Sequence, residues 1–374
     1  MDSLEKQPAA IHWYGDAPDG KKPAALLIPQ YNESSNGTDF RSRLAYFSAI
    51  AKQFHQTLDV VVIDDGSTDD SLAQIKSFKD RNPDSFFVSM ITPNANKVGA
   101  LYKTILALSH EFVILSDFDT EIHGLDLFFS NLSVLRNDSL MGCYFRMLPF
   151  EGNGSVFLFQ QLEYSMSRTC YKFHRSEQSV PVMPGAGCCY KRKTLEDIYK
   201  RHSGLRSGED REATLLGLKL GYKTFYFENI LTLTKPPSTF RSLIKQRVRW
   251  NLGYIETFHK ERRYYFHQIR KFSTIGIRTI ADFLRVNFVL LFPFIMLIGV
   301  FANVQLLLIY LGLVYCSSLF LSVNALLIAP RESYEFRNRR MYSILYYPLF
   351  KISLDCIAWS LALISFARRR DHKS

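Results

Sequence analysis

The sequence predicts an α/β domain followed by apolar helices that lie in or on a membrane, and three observations predict it. Over the first 240 residues short apolar runs alternate with helix-patterned segments, as in strand and helix units built around a largely parallel sheet. From Val286 to Pro330 there are 45 residues without a charged side chain. A bilayer core takes about 20 residues of helix, so this run is long enough for two crossings. The formal charge of +11 is also uneven: from Arg241 onward 20 Lys and Arg face 7 Asp and Glu, whereas before it 26 face 28. The basic excess accompanies the apolar runs, which points to anionic headgroups and not to nucleic acid as the partner.

The 374 residues suffice for one globular domain of about 250 residues and an addition. Residues 1–22 are expected to form a tail; MDSLEKQPAAIHWYGD holds no apolar signal core, so the globular part is expected in the cytosol. Residues 23–258 form the domain. Its strands are read at 24–29 (AALLIP), 59–64 (DVVVID), 85–91 (SFFVSMI), 111–117 (EFVILSD) and 141–147 (MGCYFRM), with helical patterns between most of them, as at 44–54 and 98–108. Residues 259–285 mix Arg and Lys with Tyr, Phe and Ile, and 262–282 reads as one amphipathic helix in the headgroup layer.

Residues 286–330 read as a transmembrane hairpin turning near Ala302, Asn303 and Gln305, with basic residues on both flanks as the positive-inside tendency expects. The apolar stretch 341–367 holds Pro348, Lys351 and Asp355; a third span, a re-entrant segment and an interfacial helix all fit it. Lys351 and Asp355 are four apart and can pair on a helix. Residues 368–374 are a basic tail. The six cysteines show no paired spacing for zinc and read as reduced thiols.

Two acidic motifs fall at strand ends, where open α/β sheets bind ligands. VVIDDGSTDD carries Asp64 and Asp65, and VILSDFDTE carries Asp117 and Asp119. Either pair can present oxygens to one hard cation, Mg2+ or Mn2+, alongside substrate phosphates; the plainer reading of each alone is an acidic turn that caps a helix. In SGEDREA, Glu209 or Asp210 can act as a general base for a sugar hydroxyl, or can simply be a first-turn acid. In FRSLIKQRVRWNLGY, Gln246, Arg249 and Trp250 share a helix face. An arginine there suits a pyrophosphate and an indole suits a sugar ring, although a basic, Trp-bearing helix ahead of a membrane also serves as an interfacial anchor.

In order, these residues resemble the D, D, D, Q-x-x-R-W pattern of family 2 glycosyltransferases, inverting enzymes of the GT-A (nucleotide-diphospho-sugar transferase, Rossmann-like) fold that include hyaluronan, chitin and cellulose synthases and ceramide glucosyltransferase. The likeness covers about residues 24–255: PQYNE (29–33), DDGSTDD, DFDT, PGAGCCYKR (184–192), GED and QRVRW. It implies that Asp65 and Asp64 contact the nucleoside, that Asp117 and Asp119 hold the metal and diphosphate, and that Asp210 is the catalytic base. It further implies that Gln246 and Arg249 hold the pyrophosphate, with Trp250 and Gly185 at the acceptor. Lys97, in NANKVGAL, matches a donor-binding lysine in a stretch usually reading N-x-G-K; Asn96 stands for the glycine, an exchange that needs a left-handed backbone there.

The implied reaction moves a hexose or N-acetylhexosamine from a nucleotide-diphosphate sugar, UDP being the favoured nucleotide, to a saccharide or lipid acceptor at the cytosolic membrane face. Membrane lipids are the other partner, no nucleic acid is expected, and a homo-oligomer stays open. The alternatives are a processive polysaccharide synthase, a nucleotidyltransferase, and an inactive membrane scaffold. Two features run against a closed export channel in one protomer. Few membrane segments are present, and RESYEFRNRR (331–340) does not resemble the gating loop of cellulose synthase.

Overall fold

A computed structural model of the chain describes residues 4, 8–35, 39–175, 180, 182–205, 207–328 and 343–371. The basic segment 331–340 lies outside them. The chain divides into two compact units, 1–147 with 177–234, and 148–176 with 235–374.

The described elements run in the order β1 (Ala10–Trp13), β2 (Ala24–Gln30), α1 (Phe40–Gln53), β3 (Leu58–Asp64), α2 (Ser71–Arg81), β4 (Phe87–Thr92), α3 (Asn96–Leu106), β5 (Phe112–Leu115), β6 (Thr120–His123), α4 (Leu125–Ser130) and β7 (Leu140–Pro149). They continue with α5 (Gly154–Arg175), β8 (Cys188–Lys191), α6 (Arg192–Arg201), α7 (Glu209–Lys219), β9 (Lys223–Thr234) and α8 (Phe240–Lys260), then α9 (Arg262–Arg270), α10 (Thr274–Ala302), α11 (Val304–Ile328) and α12 (Ser343–Asp371).

In the first unit nine described strands form one sheet in the order β1-β4-β3-β2-β5-β8-β7-β9-β6. Its centre, β4-β3-β2-β5, is parallel, and β1 and β8 flank it antiparallel. All seven residues of β3 are buried, with an apolar run from Val60 to Ile63 as in a strand covered on both faces. Leu26, Ile28, Val60, Val62, Phe47, Phe86, Phe112 and Phe145 belong to its core, each fully buried side chain contributing roughly 1.5–3 kcal/mol over exposure. The five expected strands all form. Four more, β1, β6, β8 and β9, form where none was expected. The strand expected to run to Asp117 ends at Leu115, leaving Asp117 and Asp119 in a turn before β6.

In the second unit α8 opens with a capping box between Thr239 and Ser242, which satisfies two orphan backbone donors. Phe159, Leu162, Leu243, Ile344, Tyr347 and Leu354 form a small core there. The amphipathic stretch 262–282 is two helices and not one: the chain breaks at Phe272, whose φ is 48°, and α10 begins at Thr274. The hairpin turn sits at Asn303, whose Oδ1 accepts from the Leu306 N–H at 3.0 Å and caps α11. Among the described residues α10, α11 and α12 are the three helices long and apolar enough to cross a membrane. The third runs without a break past Pro348, and its Lys351 and Asp355 pair at 2.7 Å.

Candidate active site

The parallel register sets the carboxyl ends of β2, β3 and β5 on one edge of the sheet, with Gln30 opposite Asp64 and Leu27 opposite Leu115. Asp64 and Asp65 are buried there. Gln30 Nε2 donates to Asp64 Oδ1, and the Ser67 N–H donates to Asp64 Oδ2 at 3.2 Å. The Ala95 N–H donates to Asp65 Oδ1 at 2.7 Å. Burial pushes the Asp65 carboxyl up to about 6; the Ala95 N–H opposes this and the Asp64 charge adds to it. Gly66 has φ +71°, and a Cβ there would lie 3.1 Å from the Asn94 nitrogen, so the turn takes glycine. Asn32 clasps this loop by accepting at Oδ1 from the N–H of Thr68 at 2.8 Å and of Asp69 at 3.3 Å. PQYNE and DDGSTDD are thus two halves of one structure.

A second cluster forms around Lys97. Asn96 has φ 61°, the left-handed conformation its exchange for glycine requires, and it opens α3. Lys97 Nζ lies 2.5 Å from Asp117 Oδ1, 3.7 Å from Glu209 Oε1 and 3.5 Å from the Gly185 carbonyl. The N–H groups of Gly185 and Arg211 donate to the two oxygens of Asp210, at 3.3 and 2.8 Å. A Cβ on Gly185 would lie 3.3 Å from Lys97 Nζ and 3.4 Å from Asp210 Cβ, so the absence of a side chain lets the lysine and the acid approach it from either side. Burial and then the Glu209 charge push Asp210 up to about 6, against Arg211 and Lys97. Burial opposes the Lys97 charge, but Asp117, Glu209 and Asp210 outweigh it and raise the ammonium well above its ordinary range.

Asp119 accepts from Thr120 Oγ1 at 3.2 Å, and burial followed by the Asp117 charge raises its carboxyl. Arg43 of α1 pins this turn, donating from Nε to the Phe118 carbonyl at 2.8 Å and from Nη2 to the Thr120 carbonyl at 2.5 Å. The turn ahead of β8 is fixed by Gly187, φ +81°, where a Cβ would fall 2.0 Å from Thr232 Oγ1.

Gln246, Arg249 and Trp250 belong to the second unit, on α8. Arg249 is exposed and Trp250 is 42% exposed. Gln246 Oε1 is shielded from solvent without a hydrogen-bond partner among the described residues. Arg247 is buried, stacks its guanidinium 4.2 Å from the Trp250 ring centroid, and pairs with Glu163 of α5. Burial works against the Glu163 carboxylate, but Arg247, then Lys351 and Arg285, hold it below the usual carboxylate range.

The model of the family described as Glycosyltransferase like family 2 matches residues 22–253, more than half of the chain. The chain belongs to this family. The match ends three residues beyond Trp250, so it takes in every motif residue named above. Among its relatives, an N-acetylglucosaminyltransferase of Rhizobium meliloti (strain 1021) is 27% identical over 238 residues, 60% of this chain and 54% of that protein. A poly-beta-1,6-N-acetyl-D-glucosamine synthase of Staphylococcus epidermidis is 26% identical over 231 residues, 61% of this chain and 54% of that protein. The chain thus spans about half the length of the curated relatives it matches. A mannosyltransferase of Pyrobaculum calidifontis, solved with GDP-Man and Mn2+, aligns with a TM-score of 0.46 at 20% identity over 70% of this chain and 69% of that one, a likeness too distant to argue from.

Among the described residues no three His, Cys, Asp or Glu side chains gather as a metal centre. As a pair, Asp117 and Asp119 still suit a hard divalent cation that keeps water and phosphate oxygens as its other ligands. Asp119 is raised by burial and by the Asp117 charge, so added positive charge is favourable there, and Lys97 supplies some of it to Asp117. Arg43 and Glu163 were not anticipated from the sequence: each acts on a residue more than 70 positions away, and no local spacing announces that.

Proposed function

We propose that this chain is a membrane-bound inverting glycosyltransferase that moves a hexose or N-acetylhexosamine from a nucleotide-diphosphate sugar, UDP being the favoured nucleotide, to a saccharide or lipid acceptor at the cytosolic membrane face. The observation that carries the reading is the cluster of Lys97, Asp117, Gly185 and Asp210, drawn from four segments to one site in the family domain. N-acetylglucosamine is the first sugar to test, since the relatives' names carry it.

In this reading Asp65 and Asp64 bind the nucleoside, Lys97 binds the nucleotide sugar, and Gln246 and Arg249 hold the pyrophosphate. Asp210, its carboxylate aimed by two backbone N–H groups, takes the proton of the attacking acceptor hydroxyl as that oxygen displaces the diphosphate and the anomeric centre inverts. Gly185 and Trp250 receive the acceptor. Asp117 and Asp119 would hold Mg2+ or Mn2+, which supplies Lewis-acid stabilisation of charge on phosphoryl oxygens. The synthase among the relatives favours a polymer as the second reading of the product.

The test is to incubate membranes containing the chain with labelled UDP- and GDP-sugars, and in parallel with labelled nucleoside triphosphates, in Mn2+ or Mg2+, sizing the products. Release of a nucleoside diphosphate with sugar transfer is expected. Release of pyrophosphate from a nucleoside triphosphate would make it a nucleotidyltransferase, and binding of no nucleotide sugar would make it a scaffold.

A further inference from the structure

We propose that Glu163 and Arg247 are positioning residues for Trp250, and that Lys351 couples α12 to the same indole; the functional part rests on reading Trp250 as the acceptor platform. The Arg247 guanidinium lies over the Trp250 ring, 4.2 Å from its centroid. A cation on one ring face is held by the π-electron density. It fixes the ring plane and leaves a ligand only the remaining surface. Arg247 is 6% exposed whereas Trp250 is 42% exposed, so the charged group is the buried support and the indole is the presented group.

A buried guanidinium on a flexible stem needs an anchor of its own. Glu163 provides it, using one carboxylate oxygen for Arg247 and the other for Lys351 at 3.2 Å. Lys351 also pairs with Asp355 at 2.7 Å, and Asp355 with Arg285 at 3.5 Å. Alternating charges from α8, α5, α12 and α10 thus end beneath Trp250. Phe159, Leu162, Leu243, Ile344, Tyr347 and Leu354, from the same helices α5, α8 and α12, form the apolar core of this unit. Arg247 and Asp355 are buried while Glu163 and Lys351 are partly exposed; replacing shielded ion pairs by apolar isosteres is often neutral or stabilising, and fixing one conformation is a documented use of them.

The test uses the full-length chain with Trp13→Phe and Trp359→Phe, which leaves Trp250 as the sole tryptophan of three. Acrylamide quenching and emission of Trp250 are measured in Glu163→Gln, Arg247→Met and Arg247→Lys. Donor and acceptor KM are measured alongside, with a soluble N-acetylglucosamine oligomer as acceptor. Glu163→Gln and Arg247→Met are expected to shift emission and raise quenching. They should also raise acceptor KM by about tenfold or more while donor KM holds; Arg247→Lys should recover part of each. Unchanged quenching and emission in folded variants would overturn the proposal. Altered quenching with unchanged acceptor KM would uphold the positioning and remove Trp250 from the acceptor role. Where Glu163→Gln does not fold, Lys351→Met, which keeps the Arg247–Glu163 pair, should give a smaller shift in the same direction, and no shift there would overturn the proposal as well.

Discussion

Glu209 and Asp210 stand side by side in the sequence, and the structure gives them different partners. Asp210 has both carboxylate oxygens aimed by backbone donors, while Glu209 Oε1 faces Lys97 at 3.7 Å. With Asp210 as the proposed base, Asp210→Asn keeps the shape and removes the proton acceptor, so sugar transfer in membranes should fall by about 10²–10⁴-fold. A general base works ionised. With Asp210 raised to about 6, kcat/KM should decline as pH falls through about 6 and level above it. Asp65 is raised to a similar value, so the assignment of that limb needs a variant that touches only one of them. The charge of Glu209 helps to raise Asp210 and is absent from the influences on Asp65. Glu209→Gln should therefore move the limb to lower pH, as a pH–rate profile would show; a limb that stays in place would take it away from Asp210.

Gly187 shows how much of the site depends on a turn between elements. Its N–H donates to the Leu115 carbonyl at 2.8 Å, its carbonyl accepts from Phe145 at 2.9 Å, and the Thr232 side chain fills the space a Cβ would need. Gly187→Ala should destabilise the first unit by about 2–4 kcal/mol, combining left-handed strain with overpacking, and thermal unfolding checks it. The sequence made the long helices and the parallel strands legible because caps, periodicity and continuous apolar runs are local signals. It concealed β6 and β8 because TEIH and CCYK are four residues long and, unlike FVIL of β5, not uniformly apolar, and β9 because Glu228 and Asn229 interrupt its apolar run. The break at Phe272 was equally hidden, since a positive φ at a phenylalanine has no signature in composition.

Across the whole molecule, α10 and α11 expose Leu, Ile and Phe along their lengths, and the apolar character was plain from the sequence. Such surfaces are expected to stay in lipid. Alkaline washing of membranes should leave the chain in the pellet, and its release into the supernatant would show that the apolar helices do not hold it there. The Lys351–Asp355 pair could be read from a spacing of four, whereas the Glu163–Arg247 pair spans 84 residues and only folding creates it. The acids, Lys97, Gly185 and QRVRW were legible as an ordered series. Their geometry was not, because it depends on which strand ends the sheet brings together. The most direct measurement is sugar transfer from labelled UDP-N-acetylglucosamine by membranes containing the wild-type chain or Asp210→Asn, with nucleoside diphosphate counted against product. Stoichiometric UDP and glycosylated product from the wild type, lost in Asp210→Asn, is the predicted result. Equal transfer by both, or no turnover of any UDP- or GDP-sugar by the wild type, would contradict the account.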